Sequence, residues 1–555
     1  MKIIVPMSGF GERFRRAGFT VPKPLIEVEG KPIIAHVIDL FPGEEDFVFI
    51  CNQEHLNTTP MAAVLNQYCP TGKVVSIHPH KQGPVYAISQ AYDLIDDDTP
   101  TIVNYCDFTC YWDYTHFKQW IKDSKSDGCV PAYRGFHPHS LGSTNYAFMR
   151  VEANRMLEIQ EKQPFTNNKI DEFASSGTYY FSKGRYVKKF FSQMIDADIQ
   201  TNGEYYCSMA YNLMVEAGLF VSVYELEHFM QWGTPQDLAE YQRWSDAFRD
   251  LIKTTSLPRI NDAERTASTI PGTTIIPMAG RGSRFKVEGY STEKPLIPIS
   301  GKPMVVQAAN SLPKTESYKF VCLKEHAERS EILSILNQQF PRSTVTILDS
   351  VTDGQARTCL TALEGIEPDS HLTISACDHG VIFSTEQYMK MLNDPSIDCI
   401  VWVTRGHLGA SKYPKMYGWI ETDKGDKNIV TRVSVKQPLD NPATDPIVIG
   451  TFTFKTVDIF RLSAQRMIER DGRVNGEFYV DTCIEDAIAL GYRCVIFEVE
   501  HYFCWGTPND LKTFEYWQSC FHKWPSHDYR RESDIWKSHK KSDILSPSPR
   551  VLQKI

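Results

Sequence analysis

Residues 3–14 read IIVPMSGFGERF, and residues 274–285 read TIIPMAGRGSRF. In both, a short apolar run gives way to Gly-x-Gly, then an arginine and a phenylalanine. Lys23-Pro24-Leu25-Ile26 follows the first stretch and Lys294-Pro295-Leu296-Ile297 the second, at the same offset of 271 residues. That offset holds for Gly30-Lys31-Pro32 against Gly301-Lys302-Pro303, Gly83 against Gly354, Cys106-Asp107 against Cys377-Asp378, and Arg134-Gly135 against Arg405-Gly406. It then drifts to 274 at Lys162-Gln163-Pro164 and Lys436-Gln437-Pro438. It is 273 at Asn202-Gly203-Glu204 and Asn475-Gly476-Glu477, and again at Trp232–Pro235 and Trp505–Pro508. Motifs held in register over such a distance mark an internal duplication, so one fold is expected twice.

Around the opening stretch, Ile3–Pro6, Phe47–Cys51, Val74–Ile77 and Thr101–Tyr105 are strand-like, and Pro84–Ile95 has helical spacing. Such alternation predicts an α/β layered fold with a mainly parallel sheet. Ligands of such sheets bind beyond the carboxyl ends of the strands, which is where Gly9–Phe14 and Asp107 fall. The predicted organisation is a first domain over 1–250, a polar linker over 251–272 containing Pro258, Asn261, Asp262 and Pro271, a second domain over 273–524, and a loosely ordered polar tail over 525–555.

Composition narrows the function. The 555 residues carry a net charge of −9 with a pI near 6.0, which gives no general affinity for nucleic acid or an anionic membrane. The amino-terminal apolar run is too short for a signal peptide, and no run reaches the roughly 18 residues of a membrane span. The 14 cysteines are scattered without zinc spacing, as expected of reduced thiols in a cytoplasmic protein. His78-Pro79-His80 and His137-Pro138-His139 are not repeated and read as surface loop residues rather than metal ligands. The sequence does not speak to oligomeric state.

An acidic protein that binds a polyanion must gather its positive charge locally. Gly9 and Gly11 allow backbone N–H groups to approach phosphate oxygens, and Arg13, Arg15, Arg16 and Lys23 supply the cations. Phe14 stands where a dinucleotide fingerprint has its third glycine, and no Gly-Lys-Ser/Thr follows as in a P-loop.

Taken together, Gly9-x-Gly11-x-Arg13-Phe14 … Lys23-Pro24-Leu25 and Gly280-x-Gly282-x-Arg284-Phe285 … Lys294-Pro295-Leu296 resemble the signature of the nucleoside-diphosphate-sugar pyrophosphorylases, or sugar-phosphate nucleotidyltransferases. The resemblance covers nearly all of both units. It implies two tandem Rossmann-like domains of the glycosyltransferase-A type with mainly parallel mixed sheets. It also implies a Mg²⁺-dependent reaction in which a sugar phosphate attacks the α-phosphorus of an NTP and expels pyrophosphate. By that resemblance Arg13, Lys23, Arg284 and Lys294 hold the triphosphate and stabilise the leaving group. The loops of Gly9, Gly11, Gly280 and Gly282 cover the nucleotide. Gln82-Gly83 and Asp353-Gly354 meet the base, and Asp107 and Asp378 hold the metal. Lys162 and Lys436 neutralise the phosphate of the sugar, Gly177 and Gly450 line its pocket, and Glu204 and Glu477 accept hydrogen bonds from its hydroxyls.

Two departures from the family pattern stand out. Its Glu-Lys-Pro motif is interrupted by Gln163 and Gln437, and Glu161 is matched by Val435. Its second metal-binding aspartate is Gln231 in one unit and Cys504 in the other. Substrate-side residues also differ between units: Phe10 against Arg281, Gln82 against Asp353, Phe108 against His379, and Asn145-Tyr146 against Tyr417-Gly418. The expected function is a bifunctional nucleotidyltransferase supplying activated sugars for a surface polysaccharide, with no nucleic-acid or membrane partner. Open alternatives are a cytidylyltransferase acting on a phosphorylated alcohol or phosphonate, and one active unit beside a regulatory copy. A glycosyltransferase using a nucleotide sugar is disfavoured, because neither unit has a paired Asp-x-Asp.

Overall fold

The computed structural model describes residues 1–142, 145–256 and 269–537. The chain forms two units: Met1–Asp246 with Tyr516–Asp528, and Ala247–Glu515 with the chain from Tyr529 onward.

In the first unit the strand Lys2–Met7, buried along its whole length, lies between Asp46–Asn52 and Thr101–Asn104 and is parallel to both. Lys73–Ile77 extends this parallel half. Thr178–Phe181 then runs antiparallel between Thr101–Asn104 and Gly128–Tyr133, and the hairpin of Ala147–Glu152 and Arg155–Glu161 completes the other half of a ten-stranded sheet. The second unit repeats the pattern. Ile270–Pro277 is parallel to Thr315–Leu323 and Leu372–Ser375, and Ile447–Phe454 is antiparallel to Leu372–Ser375 and Cys399–Thr404. Each sheet is therefore mixed, parallel where it carries the glycine loop and antiparallel where it carries Lys162 or Lys436. Pro84–Ile95 is not one helix: Pro84–Ser89 is followed by a separate 3₁₀ turn, Tyr92–Leu94.

The duplication reaches the backbone angles. Residues with positive φ recur at matching positions, including Glu29 and Ser300, Asn202 and Asn475, and Lys162 and Lys436, the last pair both at 61°.

The anticipated boundaries move. The expected linker 251–272 begins inside the helix Pro235–Ser256 and ends inside the strand Ile270–Pro277, with residues 257–268 outside the described residues. The expected tail is ordered as far as it is described. Tyr529 and Trp536 are buried, and the Tyr529 hydroxyl donates to Asp534 Oδ2 at 2.6 Å. Residues 538–555 lie outside the described residues. A count of Ser, Lys, Arg and Pro misses these aromatics because burial depends on contacts distant in sequence.

One pair of core positions carries a pH consequence. His36, in the helix Ile33–Asp39, places Nε2 2.7 Å from the Val28 carbonyl, and burial pushes its pKa down from 6.5 to about 4. Gln307 holds the matching position and donates to the Ile299 carbonyl at 3.0 Å. Between those pH values the unfolded chain binds the proton that folded His36 refuses. Stability is therefore full above about pH 6.5 and falls as pH drops toward 4, by on the order of 2 kcal/mol at pH 5. His36→Gln is expected to abolish that loss in urea titrations at pH 5 while leaving the midpoint at pH 7.5 unchanged. An unchanged pH 5 midpoint would assign the acid sensitivity elsewhere.

Candidate active sites

Each site begins at the carboxyl edge of the sheet. Gly11 adopts φ 61° and ψ 33°, a left-handed conformation that favours glycine, and caps the helix Glu12–Arg16. Phe14 is that helix's only buried residue and packs edge-on against Phe19 at 5.1 Å, leaving Arg13, Arg15 and Arg16 exposed. Gly282, Phe285 and Tyr290 repeat the arrangement. A Cβ at Gly9 or Gly280 would meet no protein atom within 4 Å, so packing does not require glycine at either position. The open face of the loop suits close approach of a phosphate to the backbone.

Beneath the loop, Lys23 opens the 3₁₀ turn Lys23–Leu25 and places Nζ 2.8 Å from Asp107 Oδ2. Lys294 repeats the contact with Asp378 Oδ2 at 2.5 Å and also donates to the Gly506 carbonyl at 3.2 Å. Burial disfavours both charges in the second pair, but mutual attraction outweighs it. Lys294 is held above its usual value and Asp378 below the usual carboxylate range. Lys23 is raised in the same way against burial, by the Asp107 carboxylate. Both aspartates are fixed from behind, since the Trp232 N–H donates to the Asp107 carbonyl at 2.9 Å and the Trp505 N–H to that of Asp378 at 2.8 Å.

Each unit also holds a second lysine cluster. Lys162 follows the strand Arg155–Glu161, donates its N–H to the Tyr146 carbonyl at 2.8 Å and its ammonium to the Tyr206 hydroxyl at 2.6 Å; that hydroxyl in turn donates to Glu204. Lys436 donates its N–H to the Tyr417 carbonyl at 3.0 Å and lies over the Tyr479 ring, beside Glu477. A left-handed lysine is costly, and its recurrence in both units is the kind of strain that persists at functional positions. Gly177 (φ 95°) and Gly450 (φ 83°) follow the pattern, and their carbonyls accept from the N–H of Tyr105 and Ala376, at the ends of the strands that lead to Asp107 and Asp378. Arg13 bears electrostatically on both Lys23 and Tyr206, and Arg284 on both Asp378 and Lys436. The two lysine clusters of each unit thus share one arginine.

Residues 3–165 match the model of the MobA-like NTP transferase domain, and residues 273–511 match that of the nucleotidyl transferase family. The chain is a tandem of two nucleotidyltransferase domains. Among curated relatives it is 27% identical over 145 residues to a mannose-1-phosphate guanyltransferase of Neurospora crassa, covering 26% of this chain and 40% of that protein. It is 26% identical over 192 residues to the mannose-1-phosphate guanylyltransferase catalytic subunit beta of Dictyostelium discoideum, covering 33% and 50%. The chain therefore spans 40% and 50% of the length of these two relatives. Solved structures similar to it include a nucleoside-diphosphate-sugar pyrophosphorylase from Vibrio cholerae (19% identity, TM-score 0.35, 43% of this chain and 98% of that one). Another is the inositol-1-phosphate CTP transferase from T. maritima (15% identity, TM-score 0.36, 46% and 97%).

Within the two nucleotidyltransferase domains, several sequence-predicted residues have roles in packing. Gly83 (φ 86°) and Gly354 (φ 137°) are pressed onto the backbone of Tyr205 and Phe478, so their glycine is explained by close chain approach. Gln82 stays exposed, whereas Asp353 is held between Arg357 at 2.8 Å and Arg473 at 3.0 Å. Backbone pairing also corrects the sequence register: the lysine N–H groups match Tyr146 with Tyr417, and Ala147 with Gly418, rather than Asn145-Tyr146 with Tyr417-Gly418. His137 is buried rather than a surface loop residue, with Nδ1 3.0 Å from the Tyr516 hydroxyl.

Sequence reading missed Asp237 and Asp510, three residues beyond Thr234 and Thr507 in a repeated Thr-Pro-x-Asp. Each accepts from that threonine hydroxyl at 2.6 Å, and burial raises each carboxyl. Gln231 donates to Asp237 at 2.7 Å, which leaves its Oε1 buried without a hydrogen-bond partner near Asp107. Asp107 and this amide oxygen are hard donors, suited to a Mg²⁺ that draws its other ligands from phosphate and water. In the second domain Cys504 replaces Gln231. Burial holds its thiol far above its usual value and hence neutral, so only Asp378 is suited to Mg²⁺ there. Among the described residues no group of three or more His, Cys, Asp or Glu side chains could form a metal cage. No described helix is long and apolar enough to cross a membrane.

Proposed function

We propose that each domain joins an NTP to a phosphorylated, hydroxyl-bearing acceptor of the sugar-phosphate class and releases pyrophosphate, and that the two domains take different acceptors. The observation that carries this reading is the repeated pairing of Lys23 with Asp107 and Lys294 with Asp378, each sharing one arginine with the cluster of a left-handed lysine. The chain's curated relatives, mannose-1-phosphate guanylyltransferases, support the acceptor class.

In this reading an oxygen of the acceptor phosphate, held by Lys162 or Lys436, attacks the α-phosphorus of the NTP. The bond from that phosphorus to the β-phosphate oxygen breaks, and the electron pair leaves with pyrophosphate. Lys23 and Arg13, or Lys294 and Arg284, face the charge that develops on the leaving group. Asp107 or Asp378, with Gln231 in the first domain, would hold Mg²⁺, which supplies charge neutralisation between the phosphates. Different acceptors follow from side chains that differ around a shared frame, such as Phe108 against His379 and Gln82 against Asp353.

The test is pyrophosphate release by the full chain with Mg²⁺, across four NTPs and a panel of hexose 1-phosphates and alditol phosphates. Two distinct NTP–acceptor pairs are expected. Activity with CTP and an alditol phosphate alone would replace sugar phosphates with phosphorylated alcohols. No release with any pair would reject the proposal.

A further inference from the structure

The two domains bring a half-buried carboxylate to the same side of the acceptor lysine from different elements. In the first domain it comes from the sheet. Glu161 ends its strand in register with Ala147, next to Lys162, and accepts from the hydroxyl of buried Ser208. The second domain has Val435 in register with Gly418, so its strand offers no carboxylate. Asp481, at the position matching Ser208, supplies one instead from the first turn of the helix Val480–Ala489. Its Oδ2 stands so close to Gly418 that even a methyl group there would collide. Three positions have therefore changed together: Ala147, Glu161 and Ser208 in one domain, Gly418, Val435 and Asp481 in the other.

The partners differ as well. Ser208 occupies part of Glu161's acceptor capacity, whereas among the described residues no protein side chain donates to Asp481, which takes only its own N–H. Lys436 and Tyr479 bear on it, with Glu477 beside both of them, and burial raises its carboxyl despite Lys436. A half-buried carboxylate with unused lone pairs beside a phosphate-binding lysine is suited to a ligand hydroxyl.

We propose that Asp481 is the residue by which the second domain selects its acceptor, accepting a hydrogen bond from a hydroxyl of the phosphorylated substrate held at Lys436. This rests on the acceptor-site reading of Lys436. Asp481 is one methylene shorter than Glu161 and approaches from the helix, so it meets a different hydroxyl, and the two domains separate their substrates by where the carboxylate is rooted.

The test is calorimetric binding to the full chain carrying Lys162→Ala, which restricts the signal to the second domain. The probes are inorganic phosphate and a panel of hexose 1-phosphates and alditol phosphates. Asp481→Asn is expected to weaken the best hydroxylated ligand about 10–100-fold while leaving inorganic phosphate within twofold. The triple variant Gly418→Ala, Val435→Glu, Asp481→Ser should shift the ranking of ligands toward that of the first domain. Equal weakening of inorganic phosphate, or no weakening of either, would overturn the role of Asp481. Hydroxylated phosphates that bind equally with and without Lys436→Ala would show instead that the acceptor-site reading is wrong.

Discussion

Ending the chain at Glu515 is expected to unfold the first domain, although the cut falls at the far end of the second unit's main segment. The first unit includes Tyr516–Asp528, and these residues complete its core. The Tyr516 hydroxyl donates to the Phe229 carbonyl at 2.8 Å, accepts from the Phe229 N–H at 3.0 Å and meets His137 Nδ1 at 3.0 Å. Phe229 lies in the strand His228–Gln231, which pairs with Phe108–Tyr111 directly after Asp107. Trp524 packs on His36, Trp232 and Tyr241, and Trp517 and Phe521 pack on Tyr241. Removing one large buried aromatic costs about 3–5 kcal/mol, so losing several costs on the order of 10 kcal/mol, comparable with the whole stability of a domain. Hydrogen exchange in the strand Lys2–Met7 should rise to unprotected rates in a chain ending at Glu515. Tyr516→Phe alone should cost about 1–3 kcal/mol by leaving the Phe229 backbone unpaired. If the shortened chain kept protection in Lys2–Met7, the Tyr516–Asp528 segment would be dispensable and the assignment wrong.

Lys23→Ala should lower one of the two activities by at least about 10²–10³-fold in kcat/KM, and Lys294→Ala the other, each sparing its counterpart. The magnitude follows from removing a fixed cation at the position where the leaving phosphate gains charge. Removing either lysine also strands a carboxylate in a partly buried site, which by itself destabilises. Lys23→Met with Asp107→Asn relieves that charge and should recover the wild-type unfolding midpoint without recovering activity. A lysine variant that left every activity intact would show its domain to be silent.

Much of this was legible in the sequence because duplication acts as its own control. A Gly-x-Gly turn is common, but one that returns after 271 residues with Arg, Phe and Lys-Pro-Leu attached identifies the strand, the loop and the cations together. What stayed hidden depends on contacts between distant residues. Lys23 and Asp107 are 84 residues apart, and no spacing rule links them. The shift of the carboxylate from Glu161 to Asp481 is invisible to an alignment that compares like with like, since it moves between elements. The aromatic residues after Tyr516 were hidden by their polar neighbours, and the one-residue slip at Tyr146 was settled only by the hydrogen bond to the lysine.

The segment Tyr516–Asp528 also sets a schedule. Chains are made at about 5–20 residues per second, so Tyr516 is added roughly 15–50 s after Asp246. Throughout that interval Trp232 and Tyr241 wait beside an unfilled groove, and the half synthesised first stays unfinished until nearly all of the other half has been made. The second unit closes just after it, with Tyr529 and Trp536. Both domains thus mature only once the chain has been made through Tyr516 to Trp536, and a ribosome that stalls earlier in the second half releases two incomplete enzymes instead of one complete and one missing.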